Sequence, residues 1–327
     1  MIIDNNIPKL GMGCWAIGGN FMLDGVVTGY GKIDDDISVK TIQTAYDEGI
    51  RIFDTAAVYG AGHSEHIVGK ALKGKDDAII ATKIGYYFNE DTKLITGQDT
   101  DPKNTRKAIT ESLKRLDRDV IDIVFLHLNT LAVAQAEPIF EELEKICDKG
   151  LIKGYGWSTD FPENIKATAH YKGYGFIQHG ANVFFDNSVI DALAIQYDLW
   201  QFNRSPLAMG LLTGKYDAAT SFAKNDIRGK NMGWMDYFKD GKVQPEFLEK
   251  LAAIRELLTF NGRSLTQGAL GYLWAKTLRN IPIPGARTPQ QAKENAQALQ
   301  FGALPQSIAN EIDVLIPKDI NAAPRER

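Results

Sequence analysis

The stretch RIFDTAAVYGAGHSE, residues 51–65, changes character halfway along its length. It opens on the apolar pair IF, which is typical of a strand buried on both faces. It closes on SE, which is typical of the first turn of a helix. Asp54 and Tyr59 lie between, where the strand gives way to a loop of small residues. The stretch therefore predicts one β/α unit with a carboxylate and a phenol at the exit of its strand.

Short apolar runs followed by amphipathic segments recur along the whole chain. Alternating strands and helices imply parallel pairing through right-handed crossovers, in a closed (β/α)8 barrel or an open doubly wound sheet. A barrel needs roughly 250 residues plus insertions, which matches the 327 residues present, so an α/β fold of the (β/α)8 TIM-barrel type is expected. The predicted strands are Lys9–Trp15, Arg51–Asp54, Ala78–Lys83, Ile121–Leu128, Ile152–Trp157, Phe176–Gln178, Leu199–Arg204 and Ile281–Pro284.

Helices are predicted between these strands, where apolar residues recur at helical spacing. Asp101 and Thr288 each precede a proline, as a capping residue does before the first helical position. Thr288 and Gln291 also have the spacing of a capping box. The apolar stripes are Ile67, Val68, Ala71 and Leu72; Ile190, Leu193, Ala194 and Tyr197; and Phe247, Leu248, Leu251, Ile254 and Leu258.

The longest irregular stretch, Tyr216–Gln244, follows the seventh predicted strand and is rich in Gly, Asp, Lys and aromatic residues. A loop of that length in a compact domain is usually functional or mobile. Because no linker composition interrupts the sequence, residues 1–327 are expected to form a single domain.

The composition is ordinary for a soluble globular protein, with 44% hydrophobic and 24% charged residues. A net charge of -4 and a pI of about 5.8 provide no basic surface for nucleic acid. The two cysteines, Cys14 and Cys147, indicate no disulfide framework and a reducing compartment. The N-terminus has no signal-peptide pattern, and no stretch approaches the roughly 20 apolar residues of a membrane span. A cytoplasmic protein that binds neither membrane nor nucleic acid is expected.

Polar side chains end three successive predicted strands. Asp54 ends one strand, Lys83 ends the next, in ATKIG, and His127 lies near the end of the third, in FLHLN. Tyr59 follows Asp54 in the loop. Because the active site of a barrel lies at the carboxyl ends of its strands, these four side chains are expected on one rim.

Together these side chains suit the protonation of an oxygen. A phenol has an unperturbed pKa of about 10, so it is a poor proton donor near neutral pH. A nearby ammonium favours phenolate and strengthens the acid, while a carboxylate holds the ammonium in place. A neutral histidine can donate a hydrogen bond to a carbonyl oxygen and orient it. The set therefore fits proton delivery while a hydride or nucleophile reaches the carbon.

A phosphate site is predicted where a helix begins after Thr288. The free amides and the dipole at a helix N-terminus bind phosphate, and Arg287 can add its guanidinium. The alternative is an ordinary surface helix cap.

Three other patterns have simpler interpretations. Residues 11–16, GMGCWA, imitate a dinucleotide fingerprint but are followed by IGGN, which does not start a helix. His63 and His66 have metal-compatible spacing but no third ligand nearby, so a polar helix start is preferred. Residues 34–36, DDD, are interpreted as a solvated helix cap.

The sequence resembles the aldo-keto reductase family over most of its length. The similar segments are LGMGCW, FDTAAVYGAGHSE, ATKIG, FLHLN, GWST, SPLAMGLLTGKY and IPGARTPQQAKEN, in that order. The resemblance implies a (β/α)8 barrel and NAD(P)H-dependent reduction of a small carbonyl compound. It implies that Tyr59 is the general acid, Lys83 the cation that strengthens it, Asp54 the partner of Lys83, and His127 the orienting residue.

The resemblance also assigns cofactor and substrate residues. Arg287 favours NADP(H) over NAD(H), because a 2′-phosphate attracts a cation. Two positions depart from the family pattern: Arg204 stands where an aromatic residue often stacks on the nicotinamide, and Thr159 where Asn or Arg is common. The expected substrate residues are Trp15, Tyr59, Tyr87 and His127, with the loops Gly85–Gln98 and Tyr216–Gln244 shaping the pocket. Tyr87 is chosen because the aromatic run 86–88 follows Lys83 at a strand exit, where it could line a carbonyl pocket or equally serve packing. The cofactor residues are Cys14, Trp15, Asp54, Ser158, Thr159, Gln178, Arg204, Ser205, Pro206, Leu207, Gly210, Lys215, Gly285, Arg287, Gln291, Glu294 and Asn295.

Two rival functions remain open on the same scaffold. The sequence also resembles the cytoplasmic β-subunits of potassium channels, where the barrel serves as a cofactor-sensing partner. A barrel aldolase would use Lys83 as a Schiff-base lysine, which requires that no carboxylate hold it as an ammonium.

Overall fold

Eight parallel strands form the centre of the fold, as the alternating pattern predicted. The computed structural model describes residues 2–4, 7–185, 187–319 and 324. Each strand pairs with the next along the chain, so their spatial order is their sequence order. The strands are β1 Gly11–Gly13, β2 Ile52–Asp54, β3 Ile79–Ile84, β4 Ile121–Leu126, β5 Ile152–Ser158, β6 Tyr174–Gly180, β7 Trp200–Arg204 and β8 Asn280–Pro282.

The sheet closes on itself where β1 meets the end of β8. The Gly13 N–H donates to Pro284 O at 3.0 Å, and Gly13 forms a parallel bridge with Gly285. A Cβ on Gly13 would lie 2.7 Å from Ile283 O, so a side chain there would push the two strands apart. The expected (β/α)8 barrel is confirmed, and the open doubly wound sheet is excluded.

Helices surround the barrel. Each predicted apolar stripe lies within one of these helices or extends to the residue directly after it. Thr288 caps α9 by accepting from the Gln291 N–H at 3.3 Å, but the predicted capping box is wrong in one respect. The Gln291 side chain accepts from the Arg287 N–H at 2.8 Å, one residue before the position that a capping box uses. The helices are α1 Asp35–Asp47, α2 His63–Ala71, α3 Thr105–Leu116, α4 Val133–Asp148, α5 Pro162–Thr168, α6 Ser188–Gln196, α7 Pro245–Leu258, α8 Leu265–Lys276, α9 Pro289–Phe301 and α10 Gln306–Leu315.

Apolar side chains fill the inside of the barrel, because alternate residues of each strand point inward. Asp54, Lys83, Gln178 and Arg204 each lie two residues beyond a member of this cluster, so the alternation turns them inward as well. The barrel therefore ends in a polar layer on the side that carries the loops after the strands. The apolar cluster comprises Ile3, Ile52, Ile79, Ala81, Ile123, Phe125, Phe176, Trp200, Phe202, Ile281 and Ile283.

Two features of the rim were not predicted as secondary structure. Within Gly85–Gln98, expected to be a loop, Tyr86–Asn89 and Leu94–Gln98 pair as antiparallel strands. They join Phe21–Leu23 and Val26–Thr28 in a four-stranded sheet beside the barrel. These strands are short and carry no long apolar run, which is why the pattern did not reveal them.

The long segment after β7 is mostly irregular, as expected. It contains the 3-10 turn Ile227–Gly229 and the short strands Phe238–Lys239 and Lys242–Val243. Among the described residues, no helix is long and apolar enough to cross a membrane.

Candidate active site

A buried ion pair joins the first two of the strand-exit residues. Lys83 Nζ donates to Asp54 Oδ1 at 2.7 Å and to Thr55 O at 2.6 Å. The side chains of Lys83 and Asp54 are 0% and 3% exposed. A lysine paired with a buried carboxylate in this way is poorly suited to the Schiff-base chemistry of an aldolase.

The second oxygen of Asp54 is also occupied. Gln178 Nε2 donates to Asp54 Oδ2 at 2.7 Å, and Ser158 Oγ donates to Gln178 Oε1 at 3.3 Å. Burial raises the pKa of Asp54, while Lys83, Gln178 and Arg204 act in the opposite direction. Three strands thus hold one carboxylate between an ammonium and an amide.

Tyr59 lies directly above this pair. Lys83 Nζ is 4.8 Å from the centroid of the Tyr59 ring, and no hydrogen bond joins these two described side chains. The Trp15 ring stacks at 6.0 Å and the His127 ring approaches edge-on at 5.8 Å, both between centroids. The structure therefore brings Asp54, Lys83, Tyr59 and His127 together.

A tight turn sets the position of Tyr59. The Tyr59 N–H donates to Ala56 O at 3.0 Å, and the Ser64 N–H donates to Tyr59 O at 3.1 Å. Gly60 has a φ of +60°, and a Cβ there would lie 1.8 Å from Gly18 O. Only glycine fits at that contact.

Tyr86, the residue before the predicted substrate residue Tyr87, is the tyrosine that lies beside His127 on this hairpin. Tyr86 meets the His127 ring edge-on with 5.8 Å between centroids. Tyr87 points away, is 43% exposed, and accepts a hydrogen bond from Asn104 Nδ2 at 2.9 Å. Because strand residues alternate between faces, Tyr86 and Tyr87 lie on opposite sides of the hairpin, and the contact of Tyr87 with substrate stays a prediction.

Arg204 is held by a residue that the sequence analysis did not single out. Its Nη2 donates to Asp160 Oδ2 at 2.7 Å, and the Gly180 N–H donates to Asp160 Oδ1 at 2.7 Å. Burial acts to raise the pKa of Asp160, but Arg204 and the Gly180 amide outweigh it and keep that pKa below its ordinary value. The position of Asp160, two residues beyond Ser158 at the exit of β5, was the available signal.

One cleft of about 770 Å³ runs from Tyr59 to the start of α9. It passes β1 and the loop after β7, and its walls include Lys32 and Arg228, neither of which was predicted. The predicted residues that line it are Trp15, Asp54, Tyr59, Arg204, Ser205, Pro206, Leu207, Gly210, Lys215, Gly285, Arg287, Gln291, Glu294 and Asn295.

Four of the predicted cofactor residues do not line this cleft. Ser158 and Gln178 lie in the polar layer beneath it, bonded to each other and to Asp54. The Thr159 hydroxyl donates to Asn129 O at 2.9 Å, and the Cys14 thiol contacts Met12 O at 3.7 Å within the core. Burial raises the pKa of Cys14.

A strap lines the cleft at the end that carries Arg287. We define the strap as the segments 29–32 and 225–228, which meet at a Tyr30–Asp226 bridge. Arg228 pairs with Asp226 at 2.6 Å and lies over the Tyr30 ring, 5.1 Å from its centroid. Arg287 Nη1 and Nη2 donate to the backbone oxygens of Tyr30 at 2.8 Å and Lys32 at 2.6 Å. No local sequence pattern signals these loop-to-loop contacts.

The two histidines with metal-compatible spacing have other contacts. His63 Nδ1 lies 3.1 Å from Gly18 O, and its Nε2 lies 3.2 Å from Asp35 Oδ2. In the described part of the chain no group of three or more His, Cys, Asp or Glu residues could hold a metal ion. Asp34 caps α1 by accepting from the Ile37 N–H at 3.0 Å, as expected.

Comparison with known proteins gives a consistent family match. Residues 9–317 match the family model described as Aldo/keto reductase family. "Aldo-keto reductase YhdN" of Bacillus subtilis (strain 168) is 31% identical over 294 residues, covering 86% of this chain and 82% of the relative. The solved structure of the glycerol dehydrogenase AKR11B4 from Gluconobacter oxydans has a TM-score of 0.79 and 30% identity, covering 98% of this chain and 96% of that one.

Two further relatives differ in what their names describe. "NADH-specific methylglyoxal reductase" of Escherichia coli (strain K12) is 26% identical and covers 91% of each sequence. "Putative voltage-gated potassium channel subunit beta" of Schizosaccharomyces pombe (strain 972 / ATCC 24843) is 28% identical and covers 90% of this chain and 89% of the relative. Relatives of similar sequence identity are therefore described with different roles, one as an NADH-specific reductase and one as a channel subunit.

Proposed function

This chain belongs to the aldo/keto reductase family, and from that membership we propose that it reduces an aldehyde or ketone to an alcohol with NADPH. The observation that carries the proposal is the buried Asp54–Lys83 pair beneath Tyr59, at one end of a cleft that reaches α9. An acid, its activating cation and a long cleft are the parts that such a reaction needs.

The residues of the cleft fit a dinucleotide. Its volume of about 770 Å³ lies within the range of cofactor sites. Bare glycines line it at Gly13 and Gly285, and the N-terminus of the 13-residue helix α9 opens onto it. Amides at such a helix end suit a phosphate. We assign the nicotinamide end to Trp15, Asp54 and Arg204, which line the cleft above the Gln178 side chain. We assign the phosphates and adenosine to Ser205–Lys215 and Gly285–Asn295.

Side chains of this protein donate the proton and stabilise the group that loses it. Tyr59 donates the proton to the carbonyl oxygen. When bound, NADPH would supply the hydride for the carbonyl carbon. The ammonium of Lys83 favours the phenolate that is left, and Asp54 keeps that ammonium in place. His127, whose ring meets the Tyr59 ring edge-on, orients the carbonyl.

The preference for NADPH rests on cations at the far end of the cleft. Arg287 and Lys32 both line that end, where a 2′-phosphate would add negative charge. One relative is described as NADH-specific, so family membership alone does not decide between the two cofactors. The choice made by this chain is therefore tested directly, by titration with each cofactor.

Binding and turnover together test the proposal. We expect NADPH to bind more tightly than NADH in a fluorescence titration, and a panel of small aldehydes to consume NADPH. Tyr59→Phe should lower turnover by about 10²- to 10⁴-fold with NADPH affinity unchanged. The control is Tyr30→Phe, which alters another phenol in the same cleft and should retain activity. If Tyr59→Phe retains activity as well, Tyr59 is not the acid.

The rival function is that of a cofactor-sensing partner, favoured by the likeness to a protein described as a channel β-subunit. Such a protein would bind NADPH tightly yet turn over slowly with every aldehyde. Multiple rapid turnovers with free NADPH would reject this alternative.

A further inference from the structure

Asp160 is fixed at the floor of the cleft by three contacts. Its N–H donates to Asn129 Oδ1 at 2.7 Å. Its two carboxylate oxygens accept from the Gly180 N–H and from Arg204 Nη2, each at 2.7 Å. Backbone and side chain are thus both held, so Asp160 fixes where the guanidinium of Arg204 lies.

Arg204 still has binding capacity toward the cleft. It is 8% exposed, its Nε has no hydrogen-bond partner among the described residues, and it lines the cleft with Asp54 and Tyr59. The other cation at this end, Lys83, already has Asp54 as its partner. Two ion pairs therefore lie at this end, and among the described residues Arg204, unlike Lys83, lines the cleft and has a buried nitrogen without a partner.

This end of the cleft must receive the reacting ring of the cofactor if the proposed function is correct. The proton of Tyr59 and the hydride go to adjacent atoms of one carbonyl group, so the ring and Tyr59 must lie close together. The nicotinamide ring is neutral in NADPH and carries a positive charge in NADP+. Any net charge on the floor therefore favours one form over the other.

We propose that Asp160 is a positioning residue that balances the charge of Arg204 beneath the nicotinamide and so sets the relative affinity for reduced and oxidised cofactor. This inference rests on the proposed function. An intact pair is neutral overall and discriminates little. Loss of the carboxylate leaves a cation that repels NADP+, and loss of the guanidinium leaves an anion that attracts it.

Two substitutions that break the same contact should have opposite effects. Asp160→Asn keeps the acceptor for the Gly180 amide and leaves Arg204 charged. We expect it to raise the ratio of the NADP+ to the NADPH dissociation constant by about tenfold. Arg204→Met keeps the aliphatic stem and should lower that ratio by a similar factor. Isothermal titration calorimetry at pH 8, well above the ordinary pKa of an aspartate, gives both constants without turnover. A tenfold change corresponds to about 30 mV in the potential of the bound two-electron couple.

Two further variants serve as controls. Arg204→Lys keeps the charge but not the planar shape, so both affinities should fall while their ratio stays near that of the wild type. Asp226→Asn removes a carboxylate from the Arg228–Asp226 pair of the strap, which has similar burial. It should weaken both forms equally, because that pair does not lie with Asp54 on the floor.

The outcomes separate the two proposals. Wild-type protein that binds neither NADPH nor NADP+ would overturn the proposed function itself. Wild-type binding of both forms, with Asp160→Asn and Arg204→Met moving the ratio in the same direction or not at all, would overturn only the role given to Asp160. Opposite shifts support that role, since loss of structure alone would move both variants alike.

Discussion

The two ends of the cleft are built from different interactions. At the end near Tyr59, which we call the reactive end, charges pair inside the barrel and every partner lies on or next to a strand. At the strap end, Arg287 bonds backbone oxygens of one loop, and Arg228 packs among aromatic rings and Asp226 of another. The first arrangement is rigid because the sheet sets its spacing, while the second depends on loop-to-loop contacts.

This difference predicts that substitutions at the two ends will change different measured properties. Removing a partner at the reactive end leaves a buried charge, which is costly. Removing a contact in the strap frees a surface loop whose polar groups can be solvated, so the cost in stability is small. We therefore expect substitutions at the reactive end to affect stability and turnover, and substitutions in the strap to affect mainly the residence of the cofactor.

The largest effect is expected for Lys83→Met. It leaves Asp54 buried without its cation, which should lower the free energy of unfolding by about 3–5 kcal/mol and turnover by at least about 100-fold. Urea denaturation and steady-state kinetics measure the two. The double variant Lys83→Met with Asp54→Asn should regain much of the stability but none of the turnover.

An exposed pair supplies the control for Lys83. Lys73 pairs with Asp117 at 2.9 Å, with side chains 77% and 66% exposed, so Lys73→Met should leave the denaturation midpoint unchanged. Equal losses for Lys73→Met and Lys83→Met would contradict the special role of burial at the reactive end.

The reactive end was largely readable from the sequence, for a physical reason. Strand residues alternate inward and outward, and parallel strands end on one rim. Asp54, Lys83 and His127 could therefore be placed together from three strand ends alone. Gln178 turns inward for the same reason, since it lies two residues beyond the interior residue Phe176.

The strap and the floor partner of Arg204 were not readable in the same way. The bonds from Arg287 to residues 30 and 32 join positions more than two hundred apart in sequence, through backbone atoms that carry no residue signature. Asp160 ends no apolar run, because its strand stops at Ser158. Tyr86 and Tyr87 could not be told apart without the start of their strand, since a shift of one residue exchanges the faces.

Alanine substitutions at two glycines test the difference between the reactive end and the strap. The effect expected at Gly60 is the second largest, after that of Lys83→Met. Gly60 and Gly31 both have left-handed φ values, +60° and +88°, so alanine costs about 1–2 kcal/mol of strain at either. Only at Gly60 would the new Cβ collide with backbone, at 1.8 Å from Gly18 O. We expect Gly60→Ala to displace Tyr59 and reduce turnover by up to about 100-fold.

Gly31→Ala is the matched control in the strap. The nearest atom to its new Cβ would be Asn225 Nδ2 at 4.0 Å, so only the backbone strain remains. Turnover at saturating cofactor should stay within a few-fold of the wild type. The contrast between the two ends fails if both alanine variants lose turnover equally while thermal melts show both folded.

A smaller effect is expected for Arg287→Met, measured as cofactor dissociation by stopped-flow fluorescence. Loss of two hydrogen bonds to the strap should speed the release of NADH as well as NADPH, by up to about tenfold. An arginine that only binds a 2′-phosphate would leave NADH unaffected. Lys32→Met is the companion variant: its ammonium makes no hydrogen bond or ion pair in the described part of the chain, so only NADPH release should change.

The smallest effect is expected on the pH dependence of the free energy of unfolding, and it comes from His179, which is buried near the reactive end. His179 is fully buried, its Nε2 lies 2.9 Å from Gln201 Oε1, and its Nδ1 lies 3.2 Å from Asn187 Nδ2. Because the Asn187 amide nitrogen only donates, Nδ1 accepts, and Nε2 carries the single proton of a neutral ring. Burial lowers the pKa of His179 despite the nearby carboxylates of Asp191 and Asp160.

The unfolded chain therefore binds a proton below about pH 6.5 that the native state resists, and stability falls as the pH drops through that value. His179→Gln retains hydrogen-bonding groups without a titrating ring, so its unfolding free energy should decline less between pH 7 and pH 5 than that of the wild type. Urea denaturation at several pH values measures this, with the exposed His170→Gln as the variant expected to follow the wild-type curve. Parallel curves for wild type and His179→Gln would mean that the polar layer behind Arg204 tolerates a charged imidazole, and the reactive end would then be less rigid than its buried ion pairs indicate.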